Sequence, residues 1–174
     1  FRRVLFRSLI YCHQKNDKKI MNIAQARKNS IDNQIRPWGG LDYIANNALK
    51  SVPREEFVPD HYKNLAFADI EIPLSNKAKM LSPKVEGRLL DALNIQKNET
   101  VLEVGTGSGY LTAVLSKLSQ SVTSIEIDET LSQDAQERLK TLNISNVTLE
   151  IGDASRGWQR STDFFDVVVI STSV

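Results

Sequence analysis

The feature that most constrains this chain is an alternation of strand and helix signals in its second half. Residues 100–104, 109–119, 121–126, 129–142, 146–151 and 165–170 read in order as strand, helix, strand, helix, strand and strand. The helical segments carry apolar residues at 3.6-residue spacing, in the stripes Leu111, Val114, Leu115, Leu118 and Leu131, Ala135, Leu139, Leu142. Strands joined through helices of this length cannot be hairpins. They imply right-handed crossovers and a mostly parallel sheet, expected to be covered on both faces. The fold class is therefore α/β, doubly wound, with helices N-terminal to it.

In such a sheet a ligand sits beyond the carboxyl ends of the central strands, where a glycine loop lets it approach the backbone. The stretch VLEVGTGSGY places Gly105, Gly107 and Gly109 at that point. A dinucleotide fingerprint, G-x-G-x-x-G, would need glycine at position 110, which is Tyr110; the spacing here is G-x-G-x-G. A nicotinamide dehydrogenase is disfavoured on that ground.

Three acids sharpen the reading. Glu103 lies inside the end of the first strand, where a buried carboxylate needs a cation or donors, and the ammonium of a ligand would serve. Glu126 ends the second strand, a position from which a carboxylate accepts from ribose hydroxyls and repels a 2′-phosphate. Asp153 follows the third, placed to accept from an adenine amino group. Each acid alone fits a solvated strand end or a helix cap. Together they predict a shared hollow beside Gly107.

Composition removes other classes. With 174 residues and 41% hydrophobic content, one core is the expectation. No apolar run approaches the ~18 residues of a bilayer span. Cys12 is alone, and with only His13 and His61 beside it a metal site is not expected. A reducing compartment, the cytoplasm, follows as the default. The formal charge of +1 conceals an N-terminal excess, since Met21 onward carries 16 basic against 20 acidic residues. That balance offers no nucleic-acid footprint.

Residues 1–20 have a basic, interrupted apolar pattern without a cleavage site; they are read as non-native or upstream sequence, with Met21 the natural start. Residues 21–82 form an N-terminal helical and loop region. Pro37, Gly39 and Gly40 mark a turn between two helices, VPREEFVPDHY suggests a short helix, and 69–82 reads as extended chain and loop. Ser82 and Pro83 then begin a helix as N-cap and first residue, with Val85, Leu89, Leu90 and Leu93 on one face. Residues 83–174 form the core. Trp38 and Trp158 are read as packing residues, and Lys77, Lys79 and Lys84 as a cationic loop.

The acid-x-Gly-x-Gly-x-Gly run from Glu103 to Gly109, with Glu126 and Asp153, resembles the first motifs of class I S-adenosylmethionine-dependent methyltransferases, whose fold is Rossmann-like. More narrowly, VPREEFVP, VLEVGTGSGY and NVTLEIGDASRGW followed by FDVVVI resemble the protein-L-isoaspartate O-methyltransferase family over about Met21 to Val174. The resemblance implies S-adenosyl-L-methionine as cofactor, held by Glu103, Gly105, Thr106, Gly107, Gly109, Glu126, Asp153 and Ala154. It also implies methyl transfer to the α-carboxyl of isoaspartyl residues in damaged proteins, a repair reaction by a monomer at full length. Little acid–base help is needed, because the acceptor is already ionised and the donor is pre-activated; alignment and exclusion of water remain.

Typical family members carry a serine at the acceptor in a loop where this chain has Leu81, with Ser75 and Lys77 in place of glycines. Ser82, if the loop slides by one residue, and Asp69, in FAD, are the candidate catalytic residues. A methyltransferase with another acceptor and a non-catalytic cofactor-binding module remain the alternatives. The family sheet has seven strands against four readable here, so the 174-residue chain is expected to continue in its gene and to be marginally stable alone.

Overall fold

In the second half of the chain, strands rich in β-branched residues, the first two each followed by a striped helix, fold as their pattern requires. The computed structural model describes residues 22–39, 42–75, 78–158 and 164–171, apart from the side chain of Trp38. Expectations for residues 1–20, Gly40, Lys77 and the Trp38 side chain fall outside the described residues.

In chain order the elements are α1 (Ile23–Ser30), α2 (Arg36–Gly39), α3 (Tyr43–Ser51), β1 (Ile72–Pro73), β2 (Lys79–Met80), α4 (Pro83–Leu93), β3 (Thr100–Val104), α5 (Tyr110–Leu118), β4 (Ser121–Glu126), α6 (Glu129–Thr141), β5 (Val147–Ile151) and β6 (Val167–Ile170). The last four strands form one parallel sheet in the order β5-β4-β3-β6. The chain steps outward from β3 to β5, then returns to the far side of β3. Strand order thus reverses at β3, and the glycine loop that follows it lies at the switch point where such sheets bind ligands.

The two right-handed crossovers step in one direction, so α5 and α6 lie on one face. Beneath them Val101, Glu103, Val122, Ser124 and Val169 are buried. On the other face Ile125 is buried while Val168 and Ile170, in the edge strand β6, are 55% and 59% exposed, so that face is covered only in part among the described residues. The predicted α5 and α6 stripes do face the core: Val114, Leu115 and Ala135 are fully buried.

In the N-terminal region the helix runs through Pro37 and ends at Gly39, and the next helix begins at Tyr43, so the break between two helices falls at the glycine end of the expected turn and not at the proline. A wide π turn at Ile31–Ile35 precedes the proline, and the Arg36 amide reaches back to the Ile31 carbonyl. That widening relieves the clash a proline ring makes with the preceding turn. The connector holds two 3-10 turns, Arg54–Glu56 and Asp60–Leu65, each behind a proline. Within 69–82, read as extended chain and loop, β1 and β2 pair as an antiparallel ribbon, Ile72 opposite Met80.

α4 begins at Pro83 with Ser82 in extended backbone, as expected, but the Ser82 hydroxyl caps nothing. Asp69 does that work from the preceding loop, accepting from the Lys84 amide at 3.2 Å and pairing with its ammonium at 2.9 Å. The buried face of α4 is also shifted. Val85 is 48% exposed, while Pro83, Glu86, Gly87 and Leu90 turn inward.

The cause is Arg54. This guanidinium, 3% exposed, forms an ion pair with Glu86, donates Nε to the Ala66 carbonyl at 2.8 Å and Nη2 to the Leu81 carbonyl at 2.7 Å, and lies over the Tyr110 ring. Burial opposes its charge, but the adjacent Glu86 carboxylate more than offsets this and holds the Arg54 pKa up. Arg54→Met should therefore lose about 3–5 kcal/mol in urea unfolding, since Glu86 would be left buried and unpaired. The double variant Arg54→Met/Glu86→Leu should recover most of that loss; a single variant within about 1 kcal/mol of the parent would contradict the assignment.

Candidate functional site

All three loop glycines have positive φ, +53° at Gly107 and +82° at Gly109. At Gly109 a Cβ would stand 2.9 Å from that of Ala135, so glycine is what lets the start of α5 meet α6. At Gly107 the backbone turns its amide toward the tip of β4, where Glu126 Oε2 accepts from it at 2.7 Å. The other oxygen, Oε1, accepts from the Ile127 and Asp128 amides at 3.0 and 3.1 Å. One carboxylate thereby joins the loop after β3 to the loop after β4.

Beside this junction opens a hollow of about 400 Å³ lined by Gly105, Gly107, Glu126, Asp128, Leu81 and Ser171. Its size suits a nucleoside-sized ligand. Each carboxylate oxygen has about two acceptor directions, so Glu126 Oε2, with one amide on it, can accept again. The β1–β2 ribbon overhangs the opening, with Leu74 Cδ1 only 3.3 Å from where a Gly107 Cβ would be. A second, smaller hollow adjoins the first, with Thr106, Ser108 and Met80 in its wall.

Of the three strand-tip acids expected to share the hollow, only Glu126 lines it. Glu103 is fully buried under α5, where its Oε2 accepts from the hydroxyls of Thr112 and Ser124, the latter at 2.7 Å. Its Oε1 is buried with no partner among the described residues. Burial pushes the Glu103 carboxyl up to about 7, against the opposing pull of the two hydroxyls. Asp153 stands at the tip of β5 beside Glu126, since the Gly152 amide donates to the Glu126 carbonyl at 2.9 Å. Its side chain is exposed and turned back to the Ser155 amide at 2.9 Å, which holds its pKa below the ordinary carboxylate value. Ala154, next to it, is half-buried and lines neither hollow.

Ser82 and Asp69 lie together at the N-terminus of α4, outside both hollows, while Leu81 lines both. The expected cationic loop is neutralised where it is described: Lys79 pairs with Glu71 at 3.2 Å and Lys84 with Asp69. Trp158 covers Gly152, where an added Cβ would come within 2.5 Å of the ring; it is a packing residue, as expected. Among the described residues no group of acids, histidines and cysteine has the arrangement of a metal site. No helix of the described residues is long and apolar enough to cross a membrane.

Sequence reasoning missed Ser171, Arg54 and Ser124. Ser171 follows β6 and donates its hydroxyl to the Gly105 carbonyl at 2.7 Å, closing the hollow on the side away from Glu126. Its position after an apolar strand in a parallel sheet was the available signal. Arg54 stands in the quoted VPREEFVP stretch, but no local pattern pointed to its partners.

The family model described as Protein-L-isoaspartate(D-aspartate) O-methyltransferase matches residues 27–174. A protein-L-isoaspartate O-methyltransferase of Petrotoga mobilis is 33% identical over 153 residues, covering 88% of this chain and 72% of that protein. One from Dictyoglomus turgidum is 36% identical over 127 residues, covering 73% of this chain and 58% of its own length. The chain thus spans between about half and three quarters of these curated relatives. A solved protein-L-isoaspartate O-methyltransferase superposes with a TM-score of 0.67 at 25% identity, over 76% of this chain and 44% of that one. A putative one from Plasmodium falciparum, in complex with S-adenosyl-L-homocysteine, shares the fold with a TM-score of 0.68 at 22% identity, over 83% of this chain and 72% of that one.

The Glu103 environment makes a pH prediction. A carboxyl raised from 4.5 to about 7 on folding is protonated in the folded state and ionised in the unfolded state between those values. Its contribution to stability is therefore full below the lower value and is lost as pH rises through the higher one. Denaturant unfolding at several pH values should show a decline from about pH 5 to pH 7 that Glu103→Gln lacks. Parallel pH profiles for parent and variant would refute this account.

Proposed function

Because the chain belongs to the protein-L-isoaspartate(D-aspartate) O-methyltransferase family, we infer that it binds S-adenosyl-L-methionine and methylates the carboxyl of isoaspartyl residues in damaged proteins. The observation that carries the reading is the Glu126–Gly107 bond at the edge of the hollow. It puts a carboxylate with unused acceptor capacity beside a glycine wall that admits a ligand against the backbone.

Bound cofactor would supply a sulfonium methyl as the electrophile, the chemistry that no side chain of this chain offers. The chain's own work is binding, orientation and exclusion of water. Glu126 would accept ribose hydroxyls, and Gly105, Thr106, Gly107 and Gly109 would form the wall behind the amino-acid part. Asp153 and Ala154, at the neighbouring strand tip, would flank the base, which requires the Asp153 side chain to leave the Ser155 amide. Glu103 acts from beneath the loop. The overhanging ribbon and the apolar pair Met80 and Leu81 would keep water from the reacting atoms.

The acceptor would approach over Leu81. Its carboxylate is ionised at neutral pH, so no base is required. Ser82 and Asp69 would act at one remove, through the start of α4. The single cysteine supports a cytoplasmic protein and the charge balance one without nucleic-acid partners; family membership supports action on protein substrates, as a monomer at full length and without membrane partners. A second reading keeps the cofactor and changes the acceptor; it is favoured by Leu81 facing both hollows where typical family members have serine.

Labelled methyl transfer to an isoaspartyl peptide and to its aspartyl twin separates these readings. The inferred function predicts labelling of the isoaspartyl peptide alone, and loss of about 1–3 kcal/mol of cofactor affinity on Glu126→Ala. Cofactor binding without labelling of either peptide would favour the second reading. Full affinity in Glu126→Ala would overturn the site.

A further inference from the structure

The glycine loop is tethered from below as well as from the side. Thr106, between the first two glycines, is 4% exposed, and its Oγ1 lies 2.6 Å from Ser124 Oγ on β4. Ser124, fully buried, is in turn 2.7 Å from Glu103 Oε2 on β3. The two strand residues are direct neighbours in the parallel register.

A serine hydroxyl has one proton to give. Glu103 Oε2, when the carboxylate is ionised, can only accept, and the Ser124 hydroxyl donates to it. With Glu103 ionised the Ser124 proton is committed to it, and Thr106 is then the donor to Ser124. The Thr106 side chain cannot turn toward the hollow without stranding a buried acceptor, and its carbonyl is held by the Gly109 amide at 2.9 Å.

Resting on the cofactor reading above, we propose that Ser124 and Glu103 are positioning residues: a hydroxyl relay from Glu103 through Ser124 to Thr106 holds the Gly105–Gly107 backbone in the form that receives S-adenosyl-L-methionine. Neither residue lines the hollow, so both act through Thr106. Thr112 provides the internal comparison. Its hydroxyl donates to the same Glu103 oxygen from the first turn of α5 and is equally buried, but it bonds to no side chain of the Gly105–Gly107 loop.

Titration calorimetry of the whole chain with S-adenosyl-L-homocysteine tests this. Ser124→Ala and Thr106→Val should each weaken binding about tenfold, and the double variant should be no worse than either, because both cut one chain of bonds. Thr106→Ser, which keeps the hydroxyl, should restore affinity. Thr112→Val should lower the melting temperature yet leave affinity within about twofold. The relay is overturned if Ser124→Ala and Thr106→Val bind like the parent, if their losses add, or if Thr112→Val weakens binding as much. Should Ser124→Ala fail to fold, the contrast between Thr106→Val and Thr106→Ser decides alone. Failure of the parent itself to bind would overturn the cofactor reading, a result distinct from parent binding with indifferent variants.

Discussion

A carboxylate removed from water must be answered by donors, and the donors that answer Glu126 are backbone amides of two different loops. Gly107 supplies one, Ile127 and Asp128 the others. This one side chain sets how far apart the tips of β3 and β4 stand and which way the glycine loop faces. The parallel register makes it possible: Val104 is opposite Ile125, so Glu126 reaches one residue beyond β3, level with the loop. With β6 returning to the other side of β3, no strand closes over that point, and the hollow is a consequence of topology held open by a charge.

The rest of the chain serves the same place from farther out. Arg54 gathers α4 through Glu86, the connector through Ala66, the rim through Leu81 and the first residue of α5 through the Tyr110 ring. Tyr110 follows directly on Gly109, so the cation touches both ends of the site, the rim and the helix that the loop begins. A buried ion pair is weak evidence for net stability, but its removal on one side is costly, which makes it a strong device for fixing a geometry. Asp69 adds to this by anchoring the start of α4, and Lys84 neutralises it.

What the sequence made legible was periodic or local. The strand and helix alternation, the α5 and α6 stripes and the glycine positions follow from spacing and from what glycine alone tolerates. Partnerships across long separations were not legible. Glu86 on a helix reads as a solvent-facing residue until Arg54, 32 positions away, is known to meet it, and the expected Val85 face was displaced for that reason. Asp69 took the capping role expected of Ser82 because a loop residue distant in sequence was closer in space to the Lys84 amide. The burial of Glu103 was foreseeable from its strand position, but Ser124 and Thr106 look like ordinary polar residues until the register sets them side by side. Asp153 was placed at the correct strand tip, and its side chain was then captured locally by Ser155.

Acids on adjacent strands impose the shape of the glycine loop that is proposed to receive an adenosyl group. A crystal structure of the whole chain with S-adenosyl-L-homocysteine is the most direct test of this. The ribose hydroxyls should lie within hydrogen-bond distance of Glu126, with the amino-acid part against Gly105 and Gly107 and the loop unmoved. A nucleoside seated elsewhere, or a loop that must refold to admit it, would contradict the central claim.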